Sequence, residues 1–257
     1  MDPSKTEARA RVTDQPSPAT TDIGAGAVGR SCFGDRVMEP MRLNLNAIDT
    51  SLRAVQIDFD RINRTLSTPR DPMTEMVRRN MMASYRMVDE ALASRFDPFE
   101  VGHSQWLLEL NTSVLCGQDV ERRKEFSIHI ASTEQHFYEQ EGAGIGGLME
   151  WLAHHRGENV WFRAAGVYVY ILSRPQLFIE GNHRTGSLIM SYLLAREGQP
   201  PFVLSVENAK AYFDPSTLVK DSRKHSLDML ITVPKLKKRL ARLLKGNGAP
   251  EYLVPAN

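Results

Sequence analysis

From about Leu43 onward, apolar residues recur every three or four positions: Ile48, Leu52, Val55, Phe59, Ile62 and Leu66. That is the period of an amphipathic helix, and Thr68-Pro69 ends it. A second helix is predicted over Met73 to Ala93, broken by Phe96-Asp97-Pro98. A third runs from near Phe99 to Leu115 and stops at Gly117, a residue suited to a helix end. Further helices are expected at about 145–155, 159–173 and 182–197. Between Val160 and Leu172 apolar residues occupy every side, so that helix must be surrounded by others. The next is nearly as apolar, with Leu188, Ile189, Met190, Tyr192, Leu193 and Leu194. From Gln199 shorter helices follow, the last near 233–245.

One segment breaks this rhythm. Phe126, Ile128 and Ile130 alternate with Ser127 and His129, which predicts a short strand. Phe137 and Tyr138 supply a return strand, making an irregular hairpin. Gly142, Gly144, Gly146 and Gly147 lack the order of a dinucleotide fingerprint and read as a turn. The fold class is therefore mostly α, a helical bundle with one small β-hairpin.

Composition and charge narrow the function classes. Residues 1–38 are rich in Pro, Ser, Thr, Ala and Gly without periodic apolar positions, and read as a disordered tail. They include no apolar signal core. The longest apolar run, Val160 to Leu172, contains Arg163 and is too short to span a bilayer. No membrane association is expected. The net charge of +1 gives no global field toward nucleic acid. Two cysteines, Cys32 and Cys116, suggest a reducing, cytoplasmic setting. A secreted effector is the alternative. Lys235, Lys237, Lys238, Arg239, Arg242 and Lys245 share a segment with Leu236, Leu240 and Leu243. This reads as a docked amphipathic helix with a solvated basic face, or as a contact for an acidic partner or nucleic acid. The methionines at 73, 76, 81, 82 and 87 read as core filler.

Candidate chemistry lies in the polar link between the two most apolar helices, from Ser173 to Ser187. Polar residues held by a rigid core are where a site is expected. Gly181-Asn182 precedes the second helix, with Asn182 as its N-cap. The free N–H groups of a first helical turn attract anions. His183 and Arg184 in that turn oppose the helix dipole at a cost of roughly 0.3–1 kcal/mol, and a bound phosphate would reverse that. Glu180 is placed to hold a divalent cation through the phosphates. A capped helix with a surface arginine and no ligand is the alternative.

The same residues resemble a family motif. Gln-Leu-Phe-Ile-Glu-Gly-Asn-His-Arg-Thr-Gly-Ser at 176–187 is similar to the His-Pro-Phe-x-(Asp/Glu)-Gly-Asn-Gly-Arg-x-x-Arg of the Fic/Doc (Fido) family. The matches are Phe178, Glu180, Gly181, Asn182 and Arg184. Ala164-Ala165 before the motif, Thr185-Gly186 within it, and Leu193-Leu194 to Gly198-Gln199-Pro200 after it extend the likeness over about 126–200. The resemblance implies a Fic-like helical bundle that binds ATP or another nucleotide with Mg²⁺. In that family AMP passes to a hydroxyl of a target protein. It also implies nucleotide contacts from Glu180, Gly181, Asn182, His183, Arg184 and Gly186, with Glu180 as the metal ligand. A flap at 126–138, carrying Ile128, His129 and Ile130, would align a protein target by strand addition. The implied organisation is a tail at 1–38, N-terminal helices at 39–120, a Fic-like core at 121–230 and a basic helix and tail at 231–257.

The chain departs from the motif at its chemistry. Gln176 stands at the histidine position, and Leu177 replaces the proline. Glutamine has no titratable group near neutral pH, and losing a general base costs about 10²–10⁴ in rate. Ser187 replaces the second arginine and His183 the second glycine, as in the Doc subgroup. His183 and His129 are the alternative bases. The family's inhibitory Ser/Thr-x-x-x-Glu-Gly/Asn pattern is absent: Ser84 and Asp89 are off by one position. The expected function is a nucleotide- or phosphate-binding regulator or interaction protein with a degenerate site. A transferase with a non-standard mechanism is the alternative.

Overall fold

The computed structural model describes residues 41–142, 144–224, 228–246 and 248–256. The predicted tail at 1–38, and Cys32 with it, lies outside the described residues. The described residues belong to one compact unit. The described parts of the segments 39–120, 121–230 and 231–257 thus all belong to the same unit.

The chain runs β1 (Met41–Leu43), α1 (Leu45–Ile57), α2 (Phe59–Asn63), α3 (Glu75–Ala93), α4 (Gln105–Cys116), α5 (Val120–Glu125) and α6 (Ser127–Glu139). It continues α7 (Ile145–His154), α8 (Val160–Leu172), α9 (Asn182–Arg196), α10 (Ala209–Asp221), α11 (Asp228–Gly246), a 3₁₀ turn (Pro250–Tyr252) and β2 (Leu253–Pro255). The fold is mostly helical with one small two-stranded antiparallel sheet, as expected. The sheet's location differs from the expectation. It joins the two ends of the unit, with Arg42 opposite Val254. Asp89 of α3 anchors it, accepting from Leu43 N–H at 2.8 Å and from Arg42 Nε at 2.8 Å.

The predicted hairpin at 126–138 is a correction: these residues are helical. Phe126 ends α5 and opens α6. Of the alternating residues, Phe126 and Ile130 share one helical face and Ile128 is exposed on the other. Ile130, Thr133 and Phe137 lie at i, i+3 and i+7. Thr133 and Phe137 are buried against the bundle. A helix satisfies its own backbone, so 126–138 offers no strand edge to a target peptide.

The central pair is α8 and α9. Asn159 caps α8, its side chain accepting from Phe162 N–H at 3.1 Å. The helix is buried nearly all round, as its composition requires. Its one charge, Arg163, ion-pairs with Glu197 and donates to the Glu158 carbonyl at 2.7 Å. Close approach of the two helices depends on Gly186, where a Cβ would lie 2.9 Å from Tyr168 Cδ2. Helix α11 docks on α8 through Leu236, Leu240 and Leu244, all buried. Lys237 reaches Glu158 at 2.6 Å, so part of the basic face is used inside the molecule. Among the predicted core methionines, Met81 and Met82 are buried but Met76 is exposed. Among the described residues, no helix is long and apolar enough to cross a membrane.

Candidate functional site

The link between α8 and α9 is held from three sides. From the α10–α11 connection, Ser222 O accepts from Arg174 N–H at 2.9 Å and Lys224 N–H donates to Arg174 O at 2.7 Å. The Lys224 ammonium donates to Pro175 O at 2.6 Å and lies 4.0 Å from the centre of the Tyr170 ring. Burial lowers that lysine's pKa to about 7. From α6, His136 Nε2 donates to Gln176 O at 2.8 Å, and Phe137 stacks on Phe178 with centroids 5.5 Å apart. From α4, Asn111 Nδ2 donates to Glu180 O and to Thr185 Oγ1, both at 2.9 Å.

Asn182 closes the loop internally. Its Oδ1 accepts from Phe178 N–H at 3.0 Å and its Nδ2 donates to Phe178 O at 2.7 Å. A longer bond of 3.4 Å reaches Gln176 Oε1. Asn182 is therefore not the N-cap. It is the first helical residue, and Gly181 takes the cap position with φ +76°. Glycine is required there twice over. Its φ lies in the left-handed region, and a Cβ would meet Asn111 Nδ2 at 2.8 Å.

The backbone N–H groups of Asn182, His183 and Arg184 have no acceptor among the described residues. The first to bond is Thr185, to Gly181 O at 2.9 Å. These orphan donors follow from helix geometry, and they are held by a rigid turn. Glu180 is exposed beside them. Among the described residues no cluster of His, Cys, Asp and Glu could hold a metal ion. A magnesium ion at Glu180 would need its remaining oxygens from phosphate and water, as that ion ordinarily does. The turn fits a phosphate with magnesium on those terms.

Gln176 turns its amide onto the protein. Its Nε2 donates to Leu172 O at 3.1 Å while Asn182 occupies its Oε1. His183 has a different set of neighbours. Its Nδ1 lies 3.0 Å from the Tyr168 hydroxyl, which is itself 2.8 Å from the Tyr212 hydroxyl and 2.9 Å from Ser216 Oγ. Arg70 approaches the other ring nitrogen at 3.5 Å. Burial, then the Arg70, Lys220 and Arg184 charges, push the imidazole's pKa down to about 3. His183 is neutral at physiological pH and belongs to the Tyr168–Tyr212 network. Gly186 serves packing against Tyr168, so its backbone role is structural.

The presumed flap residues fall elsewhere. Ile128 is exposed, and Ile130 and His129 line a cavity of about 150 Å³ between α4 and α6. His129 Nε2 and Thr133 Oγ1 are buried there without a partner among the described residues. Two residues escaped the sequence reading. His136 touches the loop at Gln176, and Arg70 touches His183. Neither carries a local signal, since each meets the motif only through tertiary packing. No protein-family model matches the chain, and no curated protein or solved structure matches it either.

Proposed function

We propose that this chain is a Fic-like protein that binds a phosphate-bearing ligand at the turn 176–184 and acts as a regulator, without AMP transfer through a motif histidine. The observation that carries the reading is the set of unsatisfied N–H groups on Asn182, His183 and Arg184, held in a turn locked by Gly181, Asn111 and Asn182. Preorganised donors of this kind suit a phosphate. Glu180 supplies the carboxylate for a magnesium ion shared with the phosphates. Gln176, bonded to Leu172 and Asn182, has no proton-accepting role. A protein partner would meet α6 as a helix, where Ile128 and Tyr138 are exposed.

Calorimetric titration with ATP, GTP, UTP and a CDP-linked compound in magnesium tests this. One of them binds, and Glu180→Ala weakens binding only when magnesium is present. Silence from all four would end the phosphate reading. Label transfer to a cell extract that disappears in Glu180→Ala would end the regulator reading.

His136 favours a second reading, a transferase with a non-standard base. A carbonyl oxygen only accepts, so His136 donates from Nε2 to Gln176 O, which puts an imidazole in contact with the loop at residue 176. Transfer activity abolished by His136→Ala but retained in His136→Lys would count against this assignment of the base.

A further inference from the structure

The side chains of His183, Arg184 and Ser187 line a second cavity, of about 230 Å³. We infer that this cavity is a binding site for a small organic acid with an apolar body. The cavity shares His183 and Arg184 with the phosphate turn but not Glu180, and it takes their side chains rather than their backbone N–H groups, so the inference does not require a ligand at the turn.

The charges come first. Arg70 and Arg184 both border the cavity, and neither meets a carboxylate within ion-pair distance among the described residues. Three other arginines with little exposure are paired: Arg78 with Asp49 and Glu75, Arg163 with Glu197, Arg196 with Asp97. Charges withdrawn from water are costly unless paired. Arg70 is fixed by bonds from its guanidinium to Thr217 Oγ1 at 2.6 Å and Phe213 O at 3.2 Å. Its Nε is buried and has no partner among the described residues. Arg184 has one long bond, 3.3 Å to Val114 O. Burial lowers the Arg184 pKa, and the charges of Glu180 and then of Asp71, which lies at the exposed rim, oppose that. His183 stays neutral and adds no third cation. The cavity thus presents two guanidinium groups, of which Arg70 is held in place, and no buried carboxylate in its lining.

Most of the rest of the wall is apolar, including Leu52, Phe59, Met73, Met81, Phe202 and Phe213. A few polar groups converging on an apolar pocket is the usual form of a small-molecule site. Its volume lies below that of drug-sized pockets, which selects a small ligand. Guanidinium recognises carboxylate and phosphate alike through paired N–H donors, so the shared chemistry is an oxyanion on an apolar body.

Calorimetry with 1-naphthoate, 1-naphthyl phosphate and uncharged 1-naphthylmethanol tests the inference, the two acids separating carboxylate from phosphate. At least one acid binds more tightly than the alcohol. Arg70→Gln weakens that acid by about tenfold or more, as expected for loss of a charge-assisted contact, and leaves the alcohol unchanged. Ser187→Asp places a carboxylate on the cavity wall one helical turn from Arg184, so it repels the acid and abolishes acid binding. Glu180→Ala leaves acid binding intact, which separates this site from the phosphate turn. Equal affinity for acids and alcohol, no binding of either acid, or full acid affinity in Ser187→Asp overturns the proposal. Ser187→Asp decides the matter should Arg70→Gln fail to fold.

Discussion

His136 Nε2 donates to the carbonyl oxygen of Gln176 at 2.8 Å, joining residues 40 positions apart. The bond ties α6 to the loop between the two central helices. Where the sequence suggests a strand ready to bind a target, the molecule has a helix that braces its own site. His136→Ala removes a donor to a half-buried carbonyl and costs on the order of 1 kcal/mol. The expected result is a lowered melting temperature together with weaker nucleotide binding. Unchanged binding in a destabilised variant would show that α6 supports the fold alone.

Asn182 carries more. Its amide satisfies both backbone groups of Phe178 and reaches Gln176. Asn182→Ala strands buried backbone donors and acceptors at about 1–3 kcal/mol. Urea denaturation is expected to show a loss in that range, and phosphate affinity falls because the turn is no longer held. Asn182→Asp keeps the acceptor for Phe178 N–H but not the donor, and lies between the two.

Gly181→Ala tests the cap geometry separately. The φ of +76° costs a side chain roughly 1–2 kcal/mol, and the new Cβ would press on Asn111 Nδ2. The displaced Asn111 then loses its bonds to Glu180 O and Thr185 Oγ1. Stability is expected to fall by more than the conformational cost, and Asn111→Ala to recover part of it. Additive losses in the double variant would mean that the two residues do not communicate.

How much of this was legible in the chain depends on where each signal sits. Ile48, Leu52 and Val55, or the all-apolar run in α8, report their environment through local period, and the helices form where that period predicts. The limits of α9 follow from Gly181 before it and Gly198 after it. The segment 126–138 failed because Phe126 and Ile130, four residues apart, fit either period, while the Ile128 between them is exposed. Only Thr133 and Phe137, buried further along, decide between the two periods. The strands at Met41–Leu43 and Leu253–Pro255 are too short to show alternation, and their pairing spans the whole unit. In the site, Gln176 and the 180–184 turn were visible as a contiguous motif. His136 and Arg70 were not, because packing alone brings them to it.

His183 makes stability depend on pH. In the unfolded chain an imidazole titrates near 6.5, while here burial and Arg70 push its pKa down to about 3. Between those values the unfolded state binds a proton that the folded state refuses, so stability falls as pH drops from about 6.5 toward 3. Above about 6.5 both states are neutral and the contribution is flat. His183→Gln is expected to reduce the slope of stability against pH in that window. Equal slopes in the two proteins would mean that His183 takes up its proton freely in the fold.

Restoring the histidine, Gln176→His, is expected to give no AMP transfer above the wild-type background. Two requirements of that chemistry are missing here, and the substitution addresses one. A base must reach the proton that it abstracts, yet the side chain at 176 turns back onto Leu172 O and Asn182 rather than outward. The target hydroxyl must also be aligned, and 126–138 is helical and has no strand edge to align a peptide. Labelled ATP with cell extract checks this, alongside nucleotide titration to confirm that the variant still binds. Transfer that appears in Gln176→His and vanishes when Glu180→Ala is added would mean that the site needs only its base, and that α6 does not obstruct the target.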